Sequence, residues 1–319
     1  MSEVTLQLNP VDKVEILTLM DNYIDVLLPG SDIVQRPPLA SGGQIPTTTL
    51  VAEHGLSLLV TVYNGEEHHT VLLDTGWTPI GVIHNMNVLG INAEQIETIV
   101  LSHAHMDHTG TLLPLLEQMK RQIKLVLHPA AFSSPRYLAF DDGTKLLFPK
   151  TLDREALQEK GAQIILSEGP VAIAGGKVGV TGQVERVTAF EKGLPNAMME
   201  KDGETVPDPI LDDQALIINL KGKGLVLVAG CSHAGIINTL LHARKVTGED
   251  KVYAVFGGFH LSGAFFEPII EDTIRELKQI NPFVLVPMHC TGWKAIHRFE
   301  EEFPGAFVLN SVGSKFTLN

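Results

Sequence analysis

Leu101-Ser102-His103-Ala104-His105-Met106-Asp107-His108-Thr109-Gly110 places three histidines and one aspartate within six positions. The residues before them, Ile96 to Leu101, are mostly apolar and β-branched and predict a buried strand. Thr109 to Met119 carries leucines at helical spacing and predicts a helix. The cluster therefore lies on a turn at the C-terminal end of a strand, where open α/β architectures place their chemistry. His103 and His105 are two apart, so in an extended segment both rings point to one side. Asp107 and His108 follow as the chain turns and face a neighbouring point. Two imidazoles for one ion and a carboxylate with an imidazole for a second make a dinuclear layout. Two such ions, about 3.5–4 Å apart, clamp a hydroxide and polarise a substrate oxygen.

At 319 residues and 44% hydrophobic content, the chain suffices for one large α/β domain or two small ones. Its formal net charge of -13 repels phosphate backbones and anionic lipid. Nucleic acid and membrane are thus not expected partners, whereas a small-molecule substrate is. Cys231 and Cys290 give no disulfide framework, and both fall beside candidate ligand histidines. Met1 to Asp12 has no basic segment followed by an apolar run, and no apolar stretch approaches the ~18 residues that span a bilayer. The cytoplasm is the expected location. Oligomeric state is open.

Upstream of the histidine turn, Val14 to Met20 predicts a strand, Ile24 to Leu28 a candidate second one, and Asp21-Asn22 a turn between them. Pro29 to Thr49 reads as a long loop able to cover the site. Leu56 to Tyr63 and His69 to Leu73 are strands joined by the hairpin signal Asn64-Gly65-Glu66-Glu67. His68 and His69 read as strand-edge residues. A helix is expected over Thr78 to Leu89, closed by Gly90. His128 ends the strand Lys124 to Leu127 and reads as structural. Phe132 to Lys150 reads as a solvated insertion, with Arg136, Tyr137 and Lys145 as alternative anion binders. From Ala162 the pattern turns to short strands and glycines, which divides one domain spanning 1–319 into two βα halves, about 1–160 and 161–319. Glu191 to Asp208 is polar and reads as a loop or lid. Three later strands end in His233, His260 and His289. The first of these carries Gly230-Cys231-Ser232-His233-Ala234-Gly235 into a helix, repeating the strand–turn–helix plan of the first cluster.

Leu101–Gly110 resembles the signature of the metallo-β-lactamase superfamily. Val71-Leu72-Leu73-Asp74-Thr75-Gly76 and Val286-Pro287-Met288-His289 resemble its first aspartate strand and its last histidine motif, in the right order. Glu53-His54-Gly55-Leu56-Ser57 and Gly230–Gly235 are similar to the subgroup labelled dihydropterin-methyl-ribofuranosylaminobenzene-phosphate synthase-like, after relatives linked to methanopterin biosynthesis. The resemblance runs from about Val14 to the C-terminus. It implies an α/β fold, a four-layer αββα sandwich with the site at one edge between two mixed sheets. It also implies that His289 joins Asp107 and His108, that His233 joins His103 and His105, and that Asp74 holds the histidine turn. Where the family pattern supplies a bridging Gly-Asp, this chain has Gly230-Cys231. Cys231 as a thiolate, or Asp213 as a supporting or bridging carboxylate, would complete the second half. Two divalent ions follow, with zinc first and manganese or iron as alternatives.

The activity expected on this basis is dinuclear metal-dependent hydrolysis of a small anionic phosphoester, lactone or thioester, by attack of a metal-bridging hydroxide. Asp107 would assist proton transfer, and His260 or His54 would orient or protonate the leaving group. One alternative is a synthase or lyase acting on a phosphoribosyl compound, with an anion pocket from Arg136, Lys145 or Lys294. The others are a di-iron oxidoreductase and a non-catalytic metal-binding sensor.

Overall fold

The computed structural model describes residues 6–40 and 42–319. The reading of the N-terminal leader over residues 1–5, and Ser41 of the long loop, lie outside the described residues.

Eight strands form one sheet, in the order Val34–Gln35, Lys315–Leu318, Lys13–Met20, Ser57–Asn64, Glu67–Leu73, Thr98–Val100, Ile123–Leu127 and Ala162–Leu166. It is antiparallel up to Glu67–Leu73 and parallel beyond. Six strands form the second, in the order Val171–Ile173, Val178–Val180, Ala215–Leu220, Gly224–Ala229, Val252–Gly258 and Val284–Met288, and its last three are parallel. Parallel neighbours need crossovers. Gly81–Leu89, Leu112–Met119 and Arg154–Glu159 supply them for the first sheet, Ile236–Thr247 and Ile270–Ile280 for the second.

The side-chain period of two sets the layers. In Ala215–Leu220, Leu216, Ile218 and Leu220 enter a core shared with Val60, Val71 and Val100 of the other sheet, whereas Ala215 and Ile217 pack under the helices. On the first sheet's far side, Leu72, Ile99 and Leu125 meet Val82, Leu112 and Leu116 of its helices. Strands covered on both faces read as continuous apolar runs, as these do. The result is helix, sheet, sheet, helix: the expected αββα sandwich.

Three readings change. Ile24 to Leu28 forms no strand, and its backbone runs as loop and turn. Ala162–Leu166 pairs with Ile123–Leu127, and Lys315–Leu318 returns to Lys13–Met20, so the exchange between sheets falls after Leu166 rather than near residue 160. The segments read as a solvated insertion and a loop or lid pair with each other. Arg136–Ala139 and Lys145–Leu147 join Ala197–Lys201 and Glu204–Pro207 in a third, four-stranded antiparallel sheet.

The histidine turn is packed from below by the turn after Glu67–Leu73. Gly110 donates to the Gly76 carbonyl at 2.8 Å, and a Cβ on Gly110 would lie 1.7 Å from the Trp77 carbonyl oxygen. Gly110→Ala is therefore expected to destabilise the fold by about 3 kcal/mol or more, because backbone rather than a flexible side chain must move. Urea unfolding of the variant tests this; a midpoint within error of the parent protein would refute the close approach.

Candidate metal centre

Five strand ends from the two sheets meet at one edge. Asp74 follows Glu67–Leu73, the turn with His103, His105, Asp107 and His108 follows Thr98–Val100, and Cys231 and His233 follow Gly224–Ala229. His260 follows Val252–Gly258 and His289 follows Val284–Met288. Four of these turns use a left-handed residue that is not glycine: Asp74 (φ 60°), Ser232 (φ 57°), His260 (φ 46°) and His289 (φ 53°). Such backbone is costly for an L-residue and persists where the surroundings enforce it, typically at functional sites.

Two donor groups form. His103, His105 and His233 bring one ring nitrogen each within 4.8 Å of one another, all buried. His233 Nε2 lies 3.2 Å from His103 Nε2 and 3.1 Å from His105 Nδ1. Donors around a tetrahedral zinc with bonds near 2.0–2.1 Å sit about 3.3 Å apart, so the spacing suits one ion. The second group is Asp107, His108, Cys231 and His289, also buried. His108 Nε2 is 3.1 Å from Cys231 Sγ, and His289 Nε2 is 3.3 Å from Asp107 Oδ2. Cys231 falls within the same distance of His233 and His260 as well, so it stands between the groups.

The ring orientations leave the converging nitrogens open. Asp74 Oδ2 accepts from His108 Nδ1 at 2.6 Å and from Ser102 Oγ at 2.7 Å, while Oδ1 accepts from the Ser102 N–H. With its proton given to Asp74, Ser102 Oγ accepts from His103 Nδ1 at 3.0 Å. Asn22 Oδ1 accepts from His289 Nδ1 at 3.2 Å. The Nε2 lone pairs of His103, His108 and His289 are thereby directed inward, the arrangement that metal-binding histidines require. Among the described residues, His289 Nε2 has no hydrogen-bond partner despite its proximity to Asp107. Three nitrogens converging on one point cannot all be satisfied by shared protons, whereas one cation satisfies them. The residues fit divalent metal at both groups.

Electrostatics differ between the two groups. Burial and the neighbouring imidazoles hold His103 well below the ordinary histidine range, and the same causes act on His233. Burial lowers His105 to about 4. These rings are neutral at pH 7, as ligation requires. Burial opposes charge on His108, but the Asp74 and Asp107 carboxylates raise it to about 9. Burial opposes ionisation of Asp107 too, and His108 and His289 outweigh it and hold the carboxyl well below its usual range. In the buried thiol pair, burial pushes Cys231 up; Cys290 is drawn down against burial by Cys231, His289 and His260.

The other expected site residues are placed as follows. His54 is half-exposed at the mouth; its Nε2 is 3.8 Å from Asp107 Oδ2, and its Nδ1 is 3.0 Å from Asn22 Nδ2. His260 stacks on His233 with ring centroids 4.3 Å apart. Asp213 is absent from both donor groups. Its Oδ2 accepts from the Ala234 N–H at 2.7 Å, so it supports the His233 turn, and its Oδ1 is buried with no hydrogen-bond partner among the described residues. Arg136 is no free anion binder: it is buried, with Nε 2.8 Å from Asp208 and Nη1 donating to Asp212 at 3.0 Å. Asp212 in turn accepts from the Ala104 N–H, which fixes the histidine turn from the third sheet's side. Lys145 lies over the Tyr137 ring, and Lys294 pairs with Glu267 at 2.7 Å. His69 pairs with Glu67 and Glu97 away from the site, and His128 accepts from the Ala130 N–H, both as read. Sequence reasoning missed Asp21 and Asn22. Asp21 Oδ1 accepts from the His289 N–H at 2.9 Å, and only the Asp-Asn pair at a strand end hinted at it.

The family model described as metallo-β-lactamase superfamily matches residues 52–185. A 7,8-dihydropterin-6-methyl-4-(β-D-ribofuranosyl)-aminobenzene-5'-phosphate synthase of Methanocaldococcus jannaschii is 33% identical over 261 residues, covering 80% of this chain and 87% of that protein. The chain belongs to the metallo-β-lactamase superfamily. An uncharacterized protein of the same organism is 31% identical over 266 residues, covering 82% of this chain and 92% of its own length. A solved structure described as a metal-dependent hydrolase of the β-lactamase superfamily superposes with a TM-score of 0.71 at 25% identity, over 96% of this chain and 98% of that one. The expectation of a hydrolase is corrected by the synthase: a relative with a named reaction, alike over four-fifths of the chain, builds a product. Superfamily membership brings with it an enzyme-like scaffold and divalent metal. Among the described residues, no helix is long and apolar enough to cross a membrane.

Two outcomes test the centre. Asp74→Asn should weaken metal binding by about 10–100-fold, because three donors lose their carboxylate acceptor; competition with a chromophoric chelator measures it, and unchanged affinity would remove Asp74 from the support. Cobalt(II)-loaded protein should show a sulfur-to-cobalt charge-transfer band that Cys231→Ser abolishes and Cys290→Ser keeps. A band lost only with Cys290→Ser would exchange the roles of the two thiols.

Proposed function

We propose that this chain is a metal-dependent synthase that joins two small aromatic precursors, at least one of them phosphorylated, after the manner of its methanocaldococcal relative. The observation that carries the reading is the 33% identity to that synthase over 80% of the chain. In the reading, His103, His105 and His233 hold one divalent ion and Asp107, His108, His289 and Cys231 a second, and the thiolate favours zinc. When bound, the ions supply positive charge that binds a phosphate-type group and stabilises negative charge on a departing oxygen.

The bond changes are those of a condensation. An amine nitrogen attacks a methyl-type carbon, a C–N bond forms, and the bond to an anionic leaving group breaks with its electron pair. The amine gives up one proton. In this reading His54, held by Asn22 with its Nε2 3.8 Å from Asp107 Oδ2, accepts that proton. Phe148, beyond the third sheet's hairpin, packs on His105 with ring centroids 4.6 Å apart and closes that side. The two free cysteines suit a reducing compartment, and the reading places the protein in the cytoplasm.

The test is a condensation assay. Metal-loaded protein is given an arylamine carrying a ribofuranosyl phosphate together with a pterin bearing an activated methyl group. Mass spectrometry should find the joined product, lost on chelation and reduced more than about 100-fold in His103→Ala. Release of the leaving group to water, with no joined product, would overturn the reading.

A further inference from the structure

A cavity of about 210 Å³ opens beside the His233 turn. Phe190, Phe259, Phe265 and Phe266 line it, with His260 at its inner end and Lys192 among its walls. None of these phenylalanines takes part in the donor groups. Phe266 meets the His260 ring edge-on at 4.6 Å, and His260 stacks on His233, so an aromatic wall runs without a break from the surface to the first donor group. Phe265 is 63% exposed. His260 Nδ1 is buried and has no hydrogen-bond partner among the described residues.

The charges point the same way. Lys192 is exposed and has no ion-pair partner among the described residues. Its neighbour Glu191 does not neutralise it. That carboxylate is buried and accepts from the Ile237 and Asn238 N–H groups at 2.9 and 2.8 Å, at the start of Ile236–Thr247. The cavity thus offers aromatic walls and one cation without an ion-pair partner among the described residues. Size narrows the ligand: an apolar cavity of about 150 Å³ holds benzene, so this one has room for a single substituted ring.

We infer that this cavity is the subsite for a planar aromatic ring carrying an anionic group, with Phe265 and Phe266 against the ring and Lys192 facing the anion. The assignment rests on the synthase reading for the ring's role as one of the two precursors. Aromatic pairs prefer offset or edge-on contact, which Phe265 and Phe266 provide from one wall. His260 then stands beside the ring's inner substituent, between it and the donor groups.

The experiment compares phenylphosphonate with methylphosphonate on the metal-loaded protein by calorimetry. The two probes share a headgroup and differ in the ring. Phenylphosphonate should bind about tenfold more tightly, an aromatic contact being worth roughly that factor beyond the headgroup. Phe265→Ala should bring the ratio near one with metal content and melting temperature unchanged. Lys192→Gln should weaken both probes about fivefold, as loss of one exposed charge contact does. A ratio near one in the parent protein, or a ratio that survives Phe265→Ala, overturns the subsite. The two readings fail separately: a surviving ring preference without condensation product sinks the synthase and leaves the subsite standing. Product formation with no ring preference does the reverse.

Discussion

One buried carboxylate ties the centre together. Asp74 sits in a left-handed turn at the end of a parallel strand and accepts from the Ser102 N–H, the Ser102 hydroxyl and His108 Nδ1. Through Ser102 it reaches His103, so one side chain sets two rings of different donor groups. A buried charge of this kind is stable only while its partners remain, and removing one partner of a buried pair typically costs about 3–5 kcal/mol. The rest of the edge follows the same logic on a smaller scale. Asp21 and Asn22 hold His289, Asp212 holds Ala104, and Asp213 holds the His233 turn. These supports come from several strand ends, and the two sheets must pack correctly before the donors can meet.

Much of this was legible in the residues. His-x-His-x-Asp-His between an apolar run and a leucine-spaced helix has few structural uses besides ligation. Three later strands ending in histidine indicated the opposite wall. The strands were readable because burial on both faces leaves uninterrupted apolar runs such as Leu225 to Ala229. The supporting contacts were not. Arg136 looks like a surface anion binder because its partners, Asp208 and Asp212, lie some seventy positions later. The third sheet was hidden for the same reason. Its strands are only three to five residues long, and Ala197–Lys201 pairs with Arg136–Ala139 from far along the chain. Asp21 resembled an ordinary turn residue because its function is defined only by the fold bringing His289 beside it.

The reaction was the least legible part. A pair of metal-binding groups supplies charge and orientation, and those serve hydrolysis and condensation alike. What separates the two is the nucleophile admitted: water reaches an open site, whereas an arylamine needs a surface that binds its ring. On the proposed reading, the difference lies in the loops around Phe190, Phe265 and Phe148 and not in the histidines.

The third sheet has a further consequence. Both of its hairpins are insertions, one from each half of the chain, and they pair with each other rather than with either main sheet. Arg136 joins them to the fold through Asp212, whose Oδ2 also accepts from the Ala104 N–H of the histidine turn. This makes the cap a module anchored at its base, by Arg136 through Asp212 and by Phe148 against His105. Its tips can diverge among descendants of the fold without disturbing the donors, and the price of changing the anchor itself would be felt at the metal. Selection on such a scaffold acts on two surfaces at different rates: an edge that is frozen by shared hydrogen bonds, and a rim that is free to learn new molecules.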